Sequence, residues 1–198
     1  VVHETAQGNE EYKGMGSTVS AVYFTDKTFI VANVGDSRAY RLRGGVLELL
    51  TVDHTMAQSL LDGGAITPKQ AACHPWRHVL WNALGGREEK CKPDLRVLDL
   101  LPGDRFLLTT DGLTSAVSDE VIRQTMCSLA DPIDAAQQLV DQAVSAVIGR
   151  GRCQDHRGLG DSEGRTVIET QHGSRRECER FDVRIEHDQR DFADVHVQ

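Results

Sequence analysis

Two aspartates stand where this chain could do chemistry with a hard cation. Asp36 follows the run "TFIVANVG" and Asp111 follows "RFLLTT", and each touches a glycine, Gly35 before the first and Gly112 after the second. A carboxylate at the exit of a core strand suits a divalent metal, because the sheet fixes the group while the adjoining turn admits water. Aspartate beside glycine is also the ordinary material of turns. Either residue alone reads as a turn; the pair, on similar strand exits, favours a site.

Other candidate chemistry is weaker. "GDSR" (35–38) looks like a nucleophilic serine, but no Asp-x-x-His pair follows to activate Ser37. "CHPWRH" (73–78) holds a cysteine and two histidines, but Pro75 and the lack of a matched second half argue against zinc. Polar packing in a loop-rich segment is the reading for His74 and His78, and a turn or cap is the reading for His54 beside Asp53. There is no GxxxxGK[ST] and no GxSxG, and "GMGST" (14–18) lacks the third glycine of a dinucleotide fingerprint. No residue is assigned as a catalytic nucleophile.

The elements that must position the two aspartates are strands. "STVSAVYFT" (17–25) and "TFIVANV" (28–34) are β-branched and aromatic, joined by Asp26-Lys27 as a short hairpin turn. Both carry apolar residues on both faces, which predicts central strands covered on two sides. "SRAYRLRGGVLELLT" (37–51) repeats the pattern around Gly44-Gly45. Adjacent hairpins, rather than alternating strands and helices, predict an antiparallel sheet. Short helical pieces broken by Gly63-Gly64, Pro68 and Pro75 occupy 55–86, and "LRVLDL" (95–100) and "RFLLTT" (105–110) flank a Pro102-Gly103 turn. Ser118 is placed to cap one helix, with Asp119 and Glu120 in its first turn; Asp131-Pro132 opens another, apolar at helical spacing from Ile133 to Val147.

After Gly149 the composition breaks. Residues 151–198 hold eight Arg, no Lys, four of the eight His and a single Leu. No period is sustained, only short runs such as "TVI" (166–168) read as strand, and the segment is expected to be a solvated, disordered tail or an out-of-frame product. The chain as a whole is that of a soluble globular protein, and its net charge of −8 argues against nucleic acid or an anionic membrane as partner. Five scattered cysteines with no CxxC pair suggest reduced thiols and a cytoplasmic setting.

"GMGST" (14–18), "VANVGDSRAYRLRGG" (31–45), "LTVDHT" (50–55), "TTDGLTSAVSDE" (109–120) and the helix after Asp131 occur in this order at suitable spacing. The chain so resembles the metal-dependent protein phosphatases, the PPM or type 2C Ser/Thr phosphatases in their bacterial form, over roughly residues 12–148. The resemblance implies an α+β fold, an α/β-β/α sandwich of two antiparallel sheets flanked by helices and incomplete here. It assigns 12–150 to a partial phosphatase domain, about 55–86 to a flap beside the site that influences substrate choice, and 151–198 to a non-matching tail. It implies a Mn²⁺ or Mg²⁺ cluster in which two metals about 3.5–4 Å apart hold water and clamp the phosphoryl oxygens. Asp111 matches the central metal ligand, Asp36 the acid of a third, weaker metal, and Gly112 a turn glycine. The partners it implies are a phosphorylated protein substrate and a Ser/Thr kinase.

Departures accompany the likeness. The first Asp-Gly metal motif and the phosphate-binding arginine of the family, which lie upstream of "GMGST", are absent from this sequence, as is the Asp-Asn that opens the last core strand. Ser115 stands where relatives usually carry an aspartate. These departures leave open a pseudophosphatase, a phosphatase fold kept as a binding or regulatory module, and a regulatory phosphatase of the stress or sporulation type. They also predict weak metal binding and poor phosphoester hydrolysis by these residues alone.

Overall fold

The computed structural model describes residue 12, residues 15–85 and 91–154, and strands at 182–187 and 191–196, with side chains to residue 149. In chain order the elements are β1 (Val19–Phe24), β2 (Thr28–Val34), β3 (Arg38–Arg43), β4 (Val46–Leu49), α1 (Met56–Asp62), α2 (Pro68–Ala72), β5 (Asp94–Asp99) and β6 (Arg105–Thr109). There follow α3 (Asp111–Thr114), α4 (Asp119–Ser128), α5 (Pro132–Gln154), β7 (Asp182–His187) and β8 (Asp191–His196). Two antiparallel sheets with helices give the α+β class expected from the hairpins. The chain divides into two compact units, Val1–Arg41 with Glu48–Pro102, and Leu42–Leu47 with Gly103–Gln198.

The first unit is organised by a sheet of order β1-β2-β5. Thr25 and Thr28 close the first hairpin through a backbone bond of 2.8 Å and a bond between their hydroxyls of 2.8 Å, which leaves Asp26-Lys27 at the tip as read from sequence. The register sets three cross-strand rows on one face: Phe24-Phe29-Leu98, Val22-Val31-Arg96 and Ser20-Asn33-Asp94. Phe29 and Val31 are buried on this face with Tyr40 and Leu50 elsewhere in the unit. The third row is polar, and it lies at the end of β2 that leads into Asp36. On the opposite face Tyr23, Leu95 and Val97 are exposed. Among the described residues β1 is therefore an edge strand with an open face, not the doubly covered central strand its composition predicts. Apolar residues on both faces report β propensity as well as burial, and strand order is not written in a single strand.

In the second unit β6, β7 and β8 are consecutive antiparallel strands, and the tip of the β3–β4 hairpin carries Gly44 and Gly45 at φ of +56° and +81°. Two consecutive left-handed residues are what a two-residue turn matched to strand twist demands. α5 lies against β7, β8, α3 and α4. Ala135, Ala136, Leu139, Val140 and Ala143 of α5 are buried, as are Phe106 and Leu107 of β6 and Ile122 and Met126 of α4. Asp131 caps α5 as expected, its Oδ1 accepting the N–H of Ile133 at 2.7 Å. Ser118 is the N-cap residue of α4, but its side chain makes no capping bond.

Buried charge is paired with care in this unit. Asp104, with no exposed side-chain surface, takes both Nε and Nη2 of Arg43 at 2.6 Å. Arg105 donates from Nη1 to the carbonyls of Met126 and Leu129 at the end of α4, while its buried Nε and Nη2 find no partner among the described residues. Desolvation lowers the Arg105 pKa, against the opposing pull of Cys127 and Asp131.

Most of the polar segment 151–198 lies outside the described residues. It contains two strands, β7 pairing antiparallel with β6 from Arg105↔His187 to Leu108↔Arg184, and β8 pairing with β7. A sheet supplies backbone partners to any sequence that can extend, so pairing with β6 does not require an apolar period in the added strand. "TVI" (166–168) lies outside the described residues.

Candidate metal centre

Asp36 sits in the turn between β2 and β3, within the first unit, half-buried. The turn is forced by Gly35, whose φ of +103° lies in the left-handed region. It is then pinned from four sides. Asn33, on β2, accepts from Ser20 Oγ at 2.5 Å and donates from Nδ2 to the carbonyls of Gly35 and Val52, each at 3.2 Å. Ser20 Oγ also lies 2.8 Å from the Ser37 carbonyl, and Thr18 Oγ1 bonds Ser37 Oγ at 2.7 Å. His54 donates its backbone N–H to the Gly35 carbonyl at 2.9 Å and takes the Gly35 N–H on Nδ1 at 3.2 Å.

"GDSR" is thus a built turn and not a nucleophile. Ser37 is buried and bonded, and Arg38 makes a two-pronged pair with Asp53 at 2.9 and 2.7 Å. The hydrogen bonds to Asp53 raise the pKa of Arg38 well above its ordinary value, so it is charged at any physiological pH. Asp53 and His54 of "LTVDHT" serve this turn in two ways, one by charge and one by neutral bonds. The cap at the start of α1 is the next residue, Thr55, whose Oγ1 accepts the Gln58 N–H at 3.2 Å.

One residue near Asp36 was not found by spacing. His78 offers a ring nitrogen within 4.8 Å of an Asp36 carboxylate oxygen. It is exposed, in the loop after α2, and it is separated from Asp36 by a whole subdomain in sequence, so no local pattern could pair them. His74 behaves as expected, taking the Trp76 N–H on Nδ1 at 3.1 Å and packing edge-on against the Trp76 ring. A carboxylate and an imidazole suit Mn²⁺, and oxygen donors alone suit Mg²⁺, so the Asp36 side of the site fits a divalent ion.

Asp111 belongs to the second unit. It is the first residue of the short helix α3, directly after β6 and the N-cap Thr110, and it is half-buried. Gly112 lies inside that helix and is not among the glycines of positive φ, so the chain does not need it for a left-handed exit. The strand ends by turning into a helix, which any residue can do. Ser115 is the C-cap of α3, exposed, with its N–H bonded to the Asp111 carbonyl at 2.8 Å.

Comparison with known proteins places this geometry. The family model described as Protein phosphatase 2C matches residues 1–147. The chain belongs to the protein phosphatase 2C family. A serine/threonine protein phosphatase of Mycobacterium tuberculosis, PstP, is 38% identical over 134 residues, which is 68% of this chain and 26% of that protein. A serine/threonine phosphatase of Staphylococcus aureus has the same fold with a TM-score of 0.69 at 36% identity, covering 74% of this chain and 57% of the other. The catalytic domain of PstP in complex with two manganese ions gives a TM-score of 0.64 at 33% identity, covering 73% and 59%. The α+β phosphatase fold implied by the sequence motifs is therefore the fold of this chain. The chain spans less than two thirds of the length of these relatives.

Proposed function

We propose that this chain carries part of a metal-dependent protein Ser/Thr phosphatase site, with Asp111 and Asp36 as ligands to Mn²⁺ or Mg²⁺. The observation that supports it most is the Asp36 turn: a half-buried carboxylate on a left-handed turn braced by four neighbours, with an imidazole within 4.8 Å. The chemistry that divalent ions contribute in such sites is Lewis-acid activation of water and neutralisation of phosphoryl charge. The protein's own part is to hold Asp36 through Gly35 and Ser37, to hold Asp111 at the start of α3, and to present His78 from the 55–86 flap beside the substrate. The absence of an activated nucleophile agrees with direct attack by water. The substrate is a phosphoserine or phosphothreonine protein, the natural counterpart a Ser/Thr kinase, and the setting cytoplasmic. No helix among the described residues is long and apolar enough to cross a membrane.

Two aspartates are fewer oxygens than two hard cations require, so turnover by these residues alone is weak. The exposed Ser115 favours a second reading, a phosphatase fold that binds phosphoprotein without hydrolysing it. Hydrolysis of p-nitrophenyl phosphate and of a phosphothreonine peptide, with Mn²⁺ and with EDTA, separates the two. Slow turnover that EDTA and Asp111→Asn both abolish supports the enzyme. No Mn²⁺-dependent turnover with retained peptide binding supports the binding module. Turnover indifferent to both metal and Asp111 sinks the site assignment, and robust Asp111-dependent turnover overturns the expectation of weak activity.

A further inference from the structure

His54 is 2% exposed, and both ring nitrogens are engaged. Nδ1 faces two N–H donors, the Gly35 amide at 3.2 Å and the Asn82 side-chain amide at 2.8 Å. An atom facing two donors must be the bare acceptor, which puts the ring proton on Nε2. That proton points at Asp94 Oδ2, 3.0 Å away. The ring is further held by Trp81, whose ring centroid is 4.9 Å distant and whose backbone N–H donates to the His54 carbonyl at 3.0 Å. Asn82 is itself fixed, donating to the Lys92 carbonyl at 2.7 Å.

The consequence lies at Gly35. A left-handed residue leaves the strand ladder, so its buried N–H needs a partner that the sheet cannot supply. His54 supplies it, and with its own backbone N–H it also holds the Gly35 carbonyl, in the peptide group that enters Asp36. One residue thus grips the two peptide groups immediately before the carboxylate. Asp94, which orients the ring, stands in register with Asn33 and Ser20, so the polar row across the sheet ends on this histidine.

We propose that His54 is a positioning residue for Asp36: its unprotonated Nδ1, oriented by Asp94 and Asn82, fixes the Gly35–Asp36 backbone so that the carboxylate is presented for metal binding. This rests on Asp36 being a metal ligand. It deepens that reading by assigning a role to a residue that touches neither metal nor substrate.

The test uses the whole chain and two substitutions that separate the ring nitrogens. In His54→Asn the side-chain oxygen stands near the place of Nδ1 and can still accept from Gly35; in His54→Gln the polar atoms reach the place of Nε2 instead. Amide exchange at Gly35, read by NMR on glycine-labelled protein, and Mn²⁺ affinity, read by electron paramagnetic resonance with Asp36→Asn as reference, are measured for both. We expect His54→Asn to resemble wild type. We expect His54→Gln to speed Gly35 exchange about tenfold and to weaken Asp36-dependent Mn²⁺ binding about tenfold. Equal losses in the two variants, or unchanged Mn²⁺ affinity in His54→Gln, overturn the proposal. Asp94 is mostly exposed, so Asp94→Ala keeps the fold and loosens only the ring; smaller shifts in both readouts are expected, and none in either counts against the mechanism. If wild type binds no Mn²⁺ through Asp36, the metal-site reading fails in this chain. Gly35 exchange then still decides whether His54 fixes the turn: rescue by Asn upholds it, and no difference between Asn and Gln overturns it.

Discussion

Replacing Gly35 by alanine strikes the turn that carries Asp36, and the cost follows from the coordinates. A Cβ at this position would lie 2.3 Å from Thr18 Cγ2, 2.6 Å from Thr18 Cβ and 3.3 Å from Thr18 Cα. The first two contacts are far inside van der Waals distance. Rotating Thr18 moves Cγ2 but not Cβ, and it breaks the 2.7 Å bond to Ser37. Overpacking of this kind costs about 1–3 kcal/mol, and a left-handed backbone for a residue with a Cβ about 1–2 kcal/mol more. The expected loss is therefore about 2–5 kcal/mol.

Both tryptophans, Trp76 and Trp81, lie in the same unit as Gly35, so their fluorescence in urea reports that unit. With a slope of about 2 kcal/mol per molar urea, the midpoint falls by about 1–2.5 M. The two contributions can be separated, because Thr18→Gly removes the Cβ and Cγ2 and leaves only the 3.3 Å contact. In that background Gly35→Ala keeps its conformational cost and loses the steric one, a coupling of about 1–3 kcal/mol. A midpoint for Gly35→Ala within about 0.3 M of wild type, or a coupling under about 0.5 kcal/mol, would refute the reasoning.

Two further outcomes test the second unit. Asp104→Leu removes the two-pronged carboxylate partner of Arg43 and should cost about 2–3 kcal/mol, less than for a fully buried pair because Arg43 is 32% exposed; thermal unfolding followed by circular dichroism checks it. Hydrogen bonds from Arg123, then Gln124, hold the Glu120 carboxyl at about 2. Its folded pKa is depressed, so the stabilisation is present above the unfolded carboxyl range and is lost as pH falls towards 2. An NMR titration should show Glu120 returning towards the ordinary carboxylate range in Arg123→Ala, and no movement would refute the assigned cause.

What could be read from sequence is what is decided locally. The Asp26-Lys27 and Gly44-Gly45 turns, the Asp131 cap and the middle of the apolar face of α5 each depend on a few neighbouring residues and are where the sequence puts them, whereas Ile133 and Val147 at the ends of that face are exposed. Features that depend on distant partners were hidden. β1 has the composition of a central strand, but its place at the edge is fixed by β5, some seventy residues on. β7 offers only a short alternation, Val183 and Ile185, in a polar segment, and its ladder is supplied by β6, with β8 in turn pairing with β7. His54 and Asp53 look like one polar dipeptide in a turn; only the fold sends Asp53 to Arg38 and His54 to Gly35, Asn82 and Asp94. Gly112, matched by the resemblance to a turn glycine, lies instead in the first turn of a helix.

The Asp36 turn bears on how the proposed site would hold a metal. The bonds that Thr18, Ser20, Asn33 and His54 make at this turn come from residues of the same unit, as does the Arg38–Asp53 ion pair beside it. Bracing of this kind reduces the ordering that binding would otherwise require. At the other aspartate the position is different. The residue four places beyond Asp111 is a serine, whose neutral hydroxyl is a poorer ligand to a hard divalent ion than a carboxylate. On the proposed reading, metal affinity is limited by the number of charged oxygens and not by the order of the turn. An aspartate restored at position 115 should therefore raise Mn²⁺ affinity more than any further bracing of Asp36.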